Sequence, residues 1–391
     1  MTPRRVLFWI HLIAGCVAGL VILVMSVTGI LLAYKRRIMH HADRVSQWQP
    51  GPGAQRLPVE QLLAAIQKDQ GQMPTGLTVR SDSADPVSFD FGRERTVLMN
   101  PYTGQVLGDE SPRLRTFFSS VEGWHRWLAM GGERRTWGRA ITGACNLSFL
   151  VLVMTGPFLW WPKEWTWNNL KKITLFRGGA WGRARDWNWH NVLGFWCAVP
   201  LLLIVVTGVV MSYPWANNLV YRATGNTPPP PQTGGQAPSE PGVASRRNSD
   251  SSARRSEPPI IEGLDKEGLD KLFTRASLQV PDWTTINLRL PNNATGPLTF
   301  SIDRGNGGRP DLRSQLTLDP VSGEIVRWEP FSSYNSGRQL RAWARFTHTG
   351  EAGGWMGETL AVVASAGASL LVFTGLSLGV RRLIAWQGRR I

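Results

Sequence analysis

Four of the six histidines in this chain precede long uncharged apolar runs, a placement that invites a chemical reading. His11 and His190 each stand 17 residues ahead of a Thr-Gly pair, Thr28-Gly29 and Thr207-Gly208. His125 and His348 likewise precede runs carrying Thr155-Gly156 and Thr374-Gly375. An imidazole is costly within a bilayer, titrates near neutrality and is a favoured axial ligand of haem iron. Two histidines at each end of a membrane bundle would suit two bis-histidine haems stacked across the bilayer. Seventeen helical residues rise about 25 Å, which carries Thr28 and Thr207 to the opposite membrane face from His11 and His190. The Thr-Gly pairs are therefore expected beside the haem of the opposite leaflet, where Gly admits close approach and Thr offers a hydrogen bond.

The elements that must position these groups are membrane helices. Charge-free stretches run over 12–34, 140–161, 191–213 and 359–380, each 22 or 23 residues long. About 20 helical residues cross the hydrocarbon core, and a lipid-exposed backbone must satisfy its own hydrogen bonds. Trp160, Trp161, Trp165, Trp215 and Trp386 fall at the run ends, where amphipathic rings settle at the headgroups. The first run is read as a span and not a cleaved leader, because it is long, lacks a small-x-small site before Tyr34 and ends in Lys35-Arg36-Arg37. The short loop 162–189 carries six Lys or Arg against Glu164 and Asp186, so it is expected in the cytoplasm together with both termini. The formal charge of +15 then reads as contact with anionic lipid and a basic outer surface; nucleic acid is not an expected partner. Cys16, Cys145 and Cys197 all lie within the runs and form no disulfide framework, and no C-x-x-C-H attachment sequence occurs, so any haem would be held noncovalently.

The polar segments between the spans read as two small α+β units. The first has a helical pattern over 59–66, strand-like 77–79 and 87–91, and a hairpin over 97–107. The second repeats this with 264–278, 285–290, 298–302 and a hairpin over 316–326, as one ancestral helix-domain-helix unit present twice would. Residues 224–259 differ: four prolines followed by Gly, Ser and Arg leave too little apolar surface to fold, giving a flexible tether whose Arg246-Arg247 and Arg254-Arg255 are solvated. The expected fold class is thus a membrane α-helical protein with four transmembrane helices and two small α+β extracytoplasmic domains. Its expected segments are helix 1 (1–34), domain 1 (35–124), helix 2 (125–163), a cytoplasmic loop (164–187), helix 3 (188–215), the tether (216–259), domain 2 (260–347), helix 4 (348–382) and a cytoplasmic tail (383–391).

The hairpins Asn100-Pro101-Tyr102-Thr103-Gly104-Gln105-Val106 and Asp319-Pro320-Val321-Ser322-Gly323-Glu324-Ile325 resemble the D-P-x-T-G-x-V turn of PepSY domains. His125-Arg126-Trp127-Leu128 with Gly131-Gly132 and Gly138-Arg139, then Thr155-Gly156 and Trp160-Trp161-Pro162-Lys163, resembles the PepSY-associated transmembrane family, as does His348-Thr349-Gly350-Glu351 ahead of Thr374-Gly375. Within that family the arrangement is most similar to inner-membrane ferrisiderophore reductases. The resemblance implies a haem-dependent ferric reductase of the inner membrane, with two haem b groups, acting on a ferric siderophore at the periplasmic face. The family is functionally broad, so the fold transfers more safely than the substrate.

Within that frame His11 and His190 are the expected axial ligands at the inner face, and His125 and His348 at the outer face. Thr28, Thr155, Thr207, Thr374, Arg126 and Arg345 form the expected haem environment. His40, His41, Arg134 and Arg338 are candidates for contact with the substrate. Met25, Met154 and Met211 are read as packing residues. No G-x-G-x-x-G or Walker sequence accompanies the spans, so electrons are expected from a separate cytoplasmic reductase or a membrane quinol. Two readings compete with this one: a haem-free PepSY regulator that binds peptide by strand addition, and a siderophore or metal permease component.

Overall fold

The computed structural model of the protein describes residues 2–45, 51, 53–92, 95–230, 268–290 and 296–387. In chain order the first half contains α1 (Pro3–Ala33), α2 (Lys35–Val45), α3 (Val59–Gln70), β1 (Gly76–Arg80), β2 (Val87–Phe91), β3 (Arg95–Met99), β4 (Val106–Asp109), α4 (Pro112–Trp127) and α5 (Arg135–Trp160). Between the halves lies α6 (Trp167–Thr174). The second half contains α7 (Gly182–Ser212), α8 (Pro214–Ala223), α9 (Gly268–Gln279), β5 (Thr285–Arg289), β6 (Leu298–Asp303), β7 (Arg313–Leu318), β8 (Ile325–Pro330), α10 (Ser336–His348) and α11 (Gly354–Gln387). The chain divides into a helical unit (Met1–Arg36, Thr116–Gly225, Leu340–Ile391) and a sheet unit (Arg37–Arg115, Asn226–Gln339).

In the helical unit, the four apolar runs form helices long and apolar enough to cross a membrane. α1 packs along α5 and α11, and α7 packs along the same two, so α1 and α7 face each other across a diagonal. Small residues let these backbones approach: Gly19 meets Val372 and Leu376, and Gly367 abuts the Cys197 thiol. Large apolar side chains such as Val17, Leu20, Val199 and Phe158 point outward, where a bilayer would cover them.

The sheet unit departs from expectation. In place of two small domains, its eight strands form one antiparallel sheet in the order β4-β3-β2-β1-β5-β6-β7-β8. Each four-stranded half would otherwise leave an open edge at β1 or β5; pairing Leu77 with Leu288 and Val79 with Ile286 closes both. The core is correspondingly single: Leu62 and Ile66 of α3 and Leu269 and Leu272 of α9 join Phe89, Met99, Phe300 and Leu316. The two helices also cap each other. The Val59 N–H donates to the Asp270 carboxylate and the Leu269 N–H to that of Glu60, both at 2.6 Å. These contacts satisfy helix-end donors that would otherwise lack a partner.

Both predicted hairpins form, each with an acceptor side chain closing its turn. The Asn100 Oδ1 accepts from the Tyr102 N–H at 2.8 Å and the Asp319 Oδ1 from the Ser322 N–H at 2.8 Å. Gly104 and Gly323 take positive φ, 69° and 67°. A register shift then falls at equivalent places, Leu98/Met99 and Thr317/Leu318.

One further boundary differs from the sequence reading. The tether was expected from residue 216, but helix α8 continues to Ala223: Pro214 starts it, and Ala216 and Tyr221 are buried. The remainder of the tether from 231, with its two arginine pairs, lies outside the described residues, as do 264–267 and 388–391. The loop between α5 and α7 holds α6, whose N-terminus is capped by Thr166.

Candidate functional site

His11 and His190 sit within α1 and α7, near the end of the bundle that carries the loop between α5 and α7. They form the near pair. His125 and His348 form the far pair, and their setting is different. Instead of opening the second and fourth spans they lie at the ends of the separate helices α4 and α10. Each chain then turns back, so closely that a Cβ on Gly138 would overlap the Trp127 carbonyl and one on Gly357 that of Gly350.

The ring centres of His11 and His190 are 6.3 Å apart, and those of His125 and His348 6.4 Å. Each ring meets a Thr-Gly pair of a neighbouring helix. The Nδ1 of His11 lies 2.8 Å from the Thr155 hydroxyl and that of His190 3.0 Å from Thr374. The Nδ1 of His125 lies 2.9 Å from Thr28, and that of His348 3.3 Å from Thr207 and 2.8 Å from the Ile204 carbonyl. The adjoining glycines Gly156, Gly375, Gly29 and Gly208 leave the room each ring occupies.

The hydrogen-bond network assigns the tautomer. Each threonine hydroxyl donates to the carbonyl four residues back on its own helix, at Val151, Leu370, Val24 and Leu203, over 2.6 to 2.8 Å. Its proton being used there, the oxygen accepts from Nδ1–H and leaves Nε2 as the nitrogen with a lone pair. A ring nitrogen tied in this way is the usual support of a metal-ligating histidine.

Two imidazoles bound trans to one metal would each hold a nitrogen about 2 Å from it and a ring centre about 1 Å beyond, spacing the centres about 6 Å apart. Both pairs fit that spacing. Among the described residues no group of three or more His, Cys, Asp or Glu is assembled.

The charged candidates are placed less uniformly. Arg126 bonds Glu122 at 2.9 Å and lies over the Trp127 ring; Arg345 lies over Phe346. Although burial works against its charge, Lys35 and Arg126 hold the Glu122 carboxyl below the usual carboxylate range. Arg134 is exposed in a single 3-10 turn. In the sheet unit, His40 faces the Asp85 carboxylate at 3.3 Å, His41 is exposed, and Arg338 pairs with Glu329 at 3.2 Å.

Sequence reasoning passed over three buried polar groups in the helical unit. Asn146 donates to the Val205 carbonyl beside Gly208 and His348. Asp186 accepts from Ser377 at 2.7 Å and from Arg185 at 2.9 Å, and Glu358 faces Arg36 at 3.4 Å. The spacings that could have revealed Asp186 are its four residues to His190 and the three from Thr374 to Ser377, which together put a second polar contact one turn from the first.

No curated protein matches the chain. The sequence does match the family described as PepSY-associated TM region over residues 8–382, a stretch that includes all four paired histidines and both halves of the sheet, and the chain belongs to that family.

Proposed function

We propose that the protein is a di-haem electron-transfer protein of the bacterial inner membrane that reduces a ferric siderophore on the periplasmic side, with both termini in the cytoplasm. His11 and His190 would hold one haem b, and His125 and His348 the other. When bound, haem supplies one-electron chemistry, and the protein sets ligation, access and electrostatics. Each turnover takes one electron from a separate reductase or quinol and delivers it to ferric iron, whose ferrous product binds hard oxygen ligands less tightly.

The observation that carries this reading is the fourfold repetition of one arrangement, an imidazole tied through Nδ1 to a Thr-Gly pair, with the rings facing in twos at 6.3 and 6.4 Å. Interfacial histidines satisfied by water need no such tie. Thr155, Thr374, Thr28 and Thr207 orient the rings, and Arg126 and Arg345 bring positive charge to the helices that bear the far pair. The matched hairpins, register shifts and reciprocal caps support a helix-domain-helix unit present twice.

The test is the absorption spectrum of detergent-purified protein, oxidised and dithionite-reduced, with pyridine haemochrome quantification. Two haems b per chain are expected, falling to one in His11→Ala or His348→Ala. A colourless preparation from haem-replete cells would overturn the reading and favour a peptide-binding regulator.

A further inference from the structure

The end of the helical unit next to the α5–α7 loop carries exposed tryptophans and several positive charges. Two open clefts lie there. One, of about 490 Å³, is lined by Arg177, Arg183, Trp187 and Asn188. The other, of about 530 Å³, is lined by Arg4, Phe158, Trp161, Lys163 and Trp165. We propose that these two clefts bind the headgroups of anionic phospholipids, one in each.

The first cleft is built, not incidental. The buried Asn188 accepts from the Arg177 backbone N–H at 2.9 Å and donates to the Lys172 and Leu175 carbonyls at 3.2 Å each. This fixes the loop that brings Arg177 to the cleft that Arg183 also lines. The Trp196 indole pins the same loop through the Thr174 carbonyl at 2.9 Å. In the second cleft, Arg4 donates to the Leu159 and Trp161 carbonyls at the end of α5. The local acid Asp186 is satisfied by Arg185 and Ser377, which leaves Arg177 and Arg183 uncompensated by it.

Depth points to lipid. Arg4 and Arg183 each stand seven residues before a histidine of the near pair, so they lie two helical turns, about 11 Å, nearer the water. That is where headgroup phosphates meet the ends of apolar runs starting at 12 and 191. The cleft rims also merge with apolar surface: Phe158 and Trp196 are each 63 % exposed. Acyl chains can follow that surface, whereas a free phosphate gains nothing from it. Basic residues near a bilayer surface attract anionic lipid by about 1 kcal/mol each, and exposed indoles favour the same depth.

Native mass spectrometry of the full chain, titrated with phosphatidylglycerol or phosphatidylcholine, tests the proposal. Two phosphatidylglycerol adducts are expected, retained about tenfold better than phosphatidylcholine. Arg177→Gln with Arg183→Gln should remove one adduct and Arg4→Gln with Lys163→Gln the other, while Arg177→Lys with Arg183→Lys keeps both. Unchanged thermal midpoints would show that the glutamine variants fold. Equal retention of both lipids, or adducts unaffected by the glutamine changes, would overturn the proposal. Displacement of phosphatidylglycerol by millimolar inorganic phosphate would overturn it too, identifying free phosphate sites.

Discussion

The two halves of the chain build the same imidazole seat with different tolerances. In the first half, His11 and His125 take short bonds to threonine, 2.8 and 2.9 Å, and stand off their glycines, whose added Cβ would lie 3.9 and 3.5 Å from Cε1. In the second half, His190 and His348 bond threonine at 3.0 and 3.3 Å but press to 3.2 Å of the corresponding Cβ positions. Each pair joins one ring from each half. Each pair therefore joins one ring that stands off its glycine and one that packs closely against its own.

The largest expected effects break that contrast at the glycines. Gly208→Ala would crowd both the Asn146 amide, at 3.0 Å, and the His348 ring, and should leave one haem per chain by pyridine haemochrome. Gly156→Ala meets His11 only at ordinary contact distance and should keep both haems, with helix propensity adding up to about 1 kcal/mol of stability. Equal haem loss in the two variants would refute the asymmetry.

A smaller effect is expected at the threonines, in the opposite order. His348 has the Ile204 carbonyl as a second acceptor at 2.8 Å, so Thr207→Val leaves its Nδ1–H satisfied. Thr155→Val removes the hydroxyl that accepts from His11 and should weaken haem retention about 10- to 100-fold. The rate of haem loss to an excess of a haem-scavenging protein measures both.

How much of this was legible in sequence follows from what each feature depends on. The spans and hairpins were, because absence of charge over 22 residues and a Pro-Gly turn between alternating strands are local constraints. The seventeen-residue interval was legible too, since helical rise is fixed. That β1 and β5 would pair was not: both are apolar on the face toward the core, and nothing in Gly76–Arg80 says whether its far edge meets solvent or another strand. The separate helix α4 was hidden because the turn after His125 uses Leu128 and Ala129, residues without turn character. Asp186 read as a loop acid because the partners that bury it, Ser377 and Arg381, lie almost 200 positions away.

That turn gives the next contrast. Leu128 and Ala129 take φ of 51° and 56°, where a side chain costs about 1 kcal/mol, while the turn after His348 uses Gly350 and Gly354 at 76° and 59°. Ala129 is exposed and packs against little. Ala129→Gly should therefore stabilise the helical unit by up to about 1 kcal/mol, seen as a raised thermal midpoint, with the haem spectrum unchanged. A lowered midpoint would mean that the chain entropy added to the unfolded state outweighs the relieved strain.

The smallest expected effect concerns charge three residues before each far histidine, Glu122 in one half and Arg345 in the other. Lys35 and Arg126 depress the Glu122 carboxyl relative to the unfolded chain, against the opposing pull of burial. Its contribution is then present above the unfolded carboxylate pKa of about 4.3 and is lost as pH falls through the lower folded value. The carboxylate is 34 % exposed, so screening limits the contribution to about 1 kcal/mol or less. Glu122→Gln should lower the thermal midpoint slightly at neutral pH and flatten its fall below about pH 5. Arg345 carries no carboxyl group, so Arg345→Gln should leave the acid slope as it is. Parallel acid slopes for the wild-type and Glu122→Gln proteins would show that Glu122 does not separate the two halves electrostatically, leaving the seating of the rings as the difference between them.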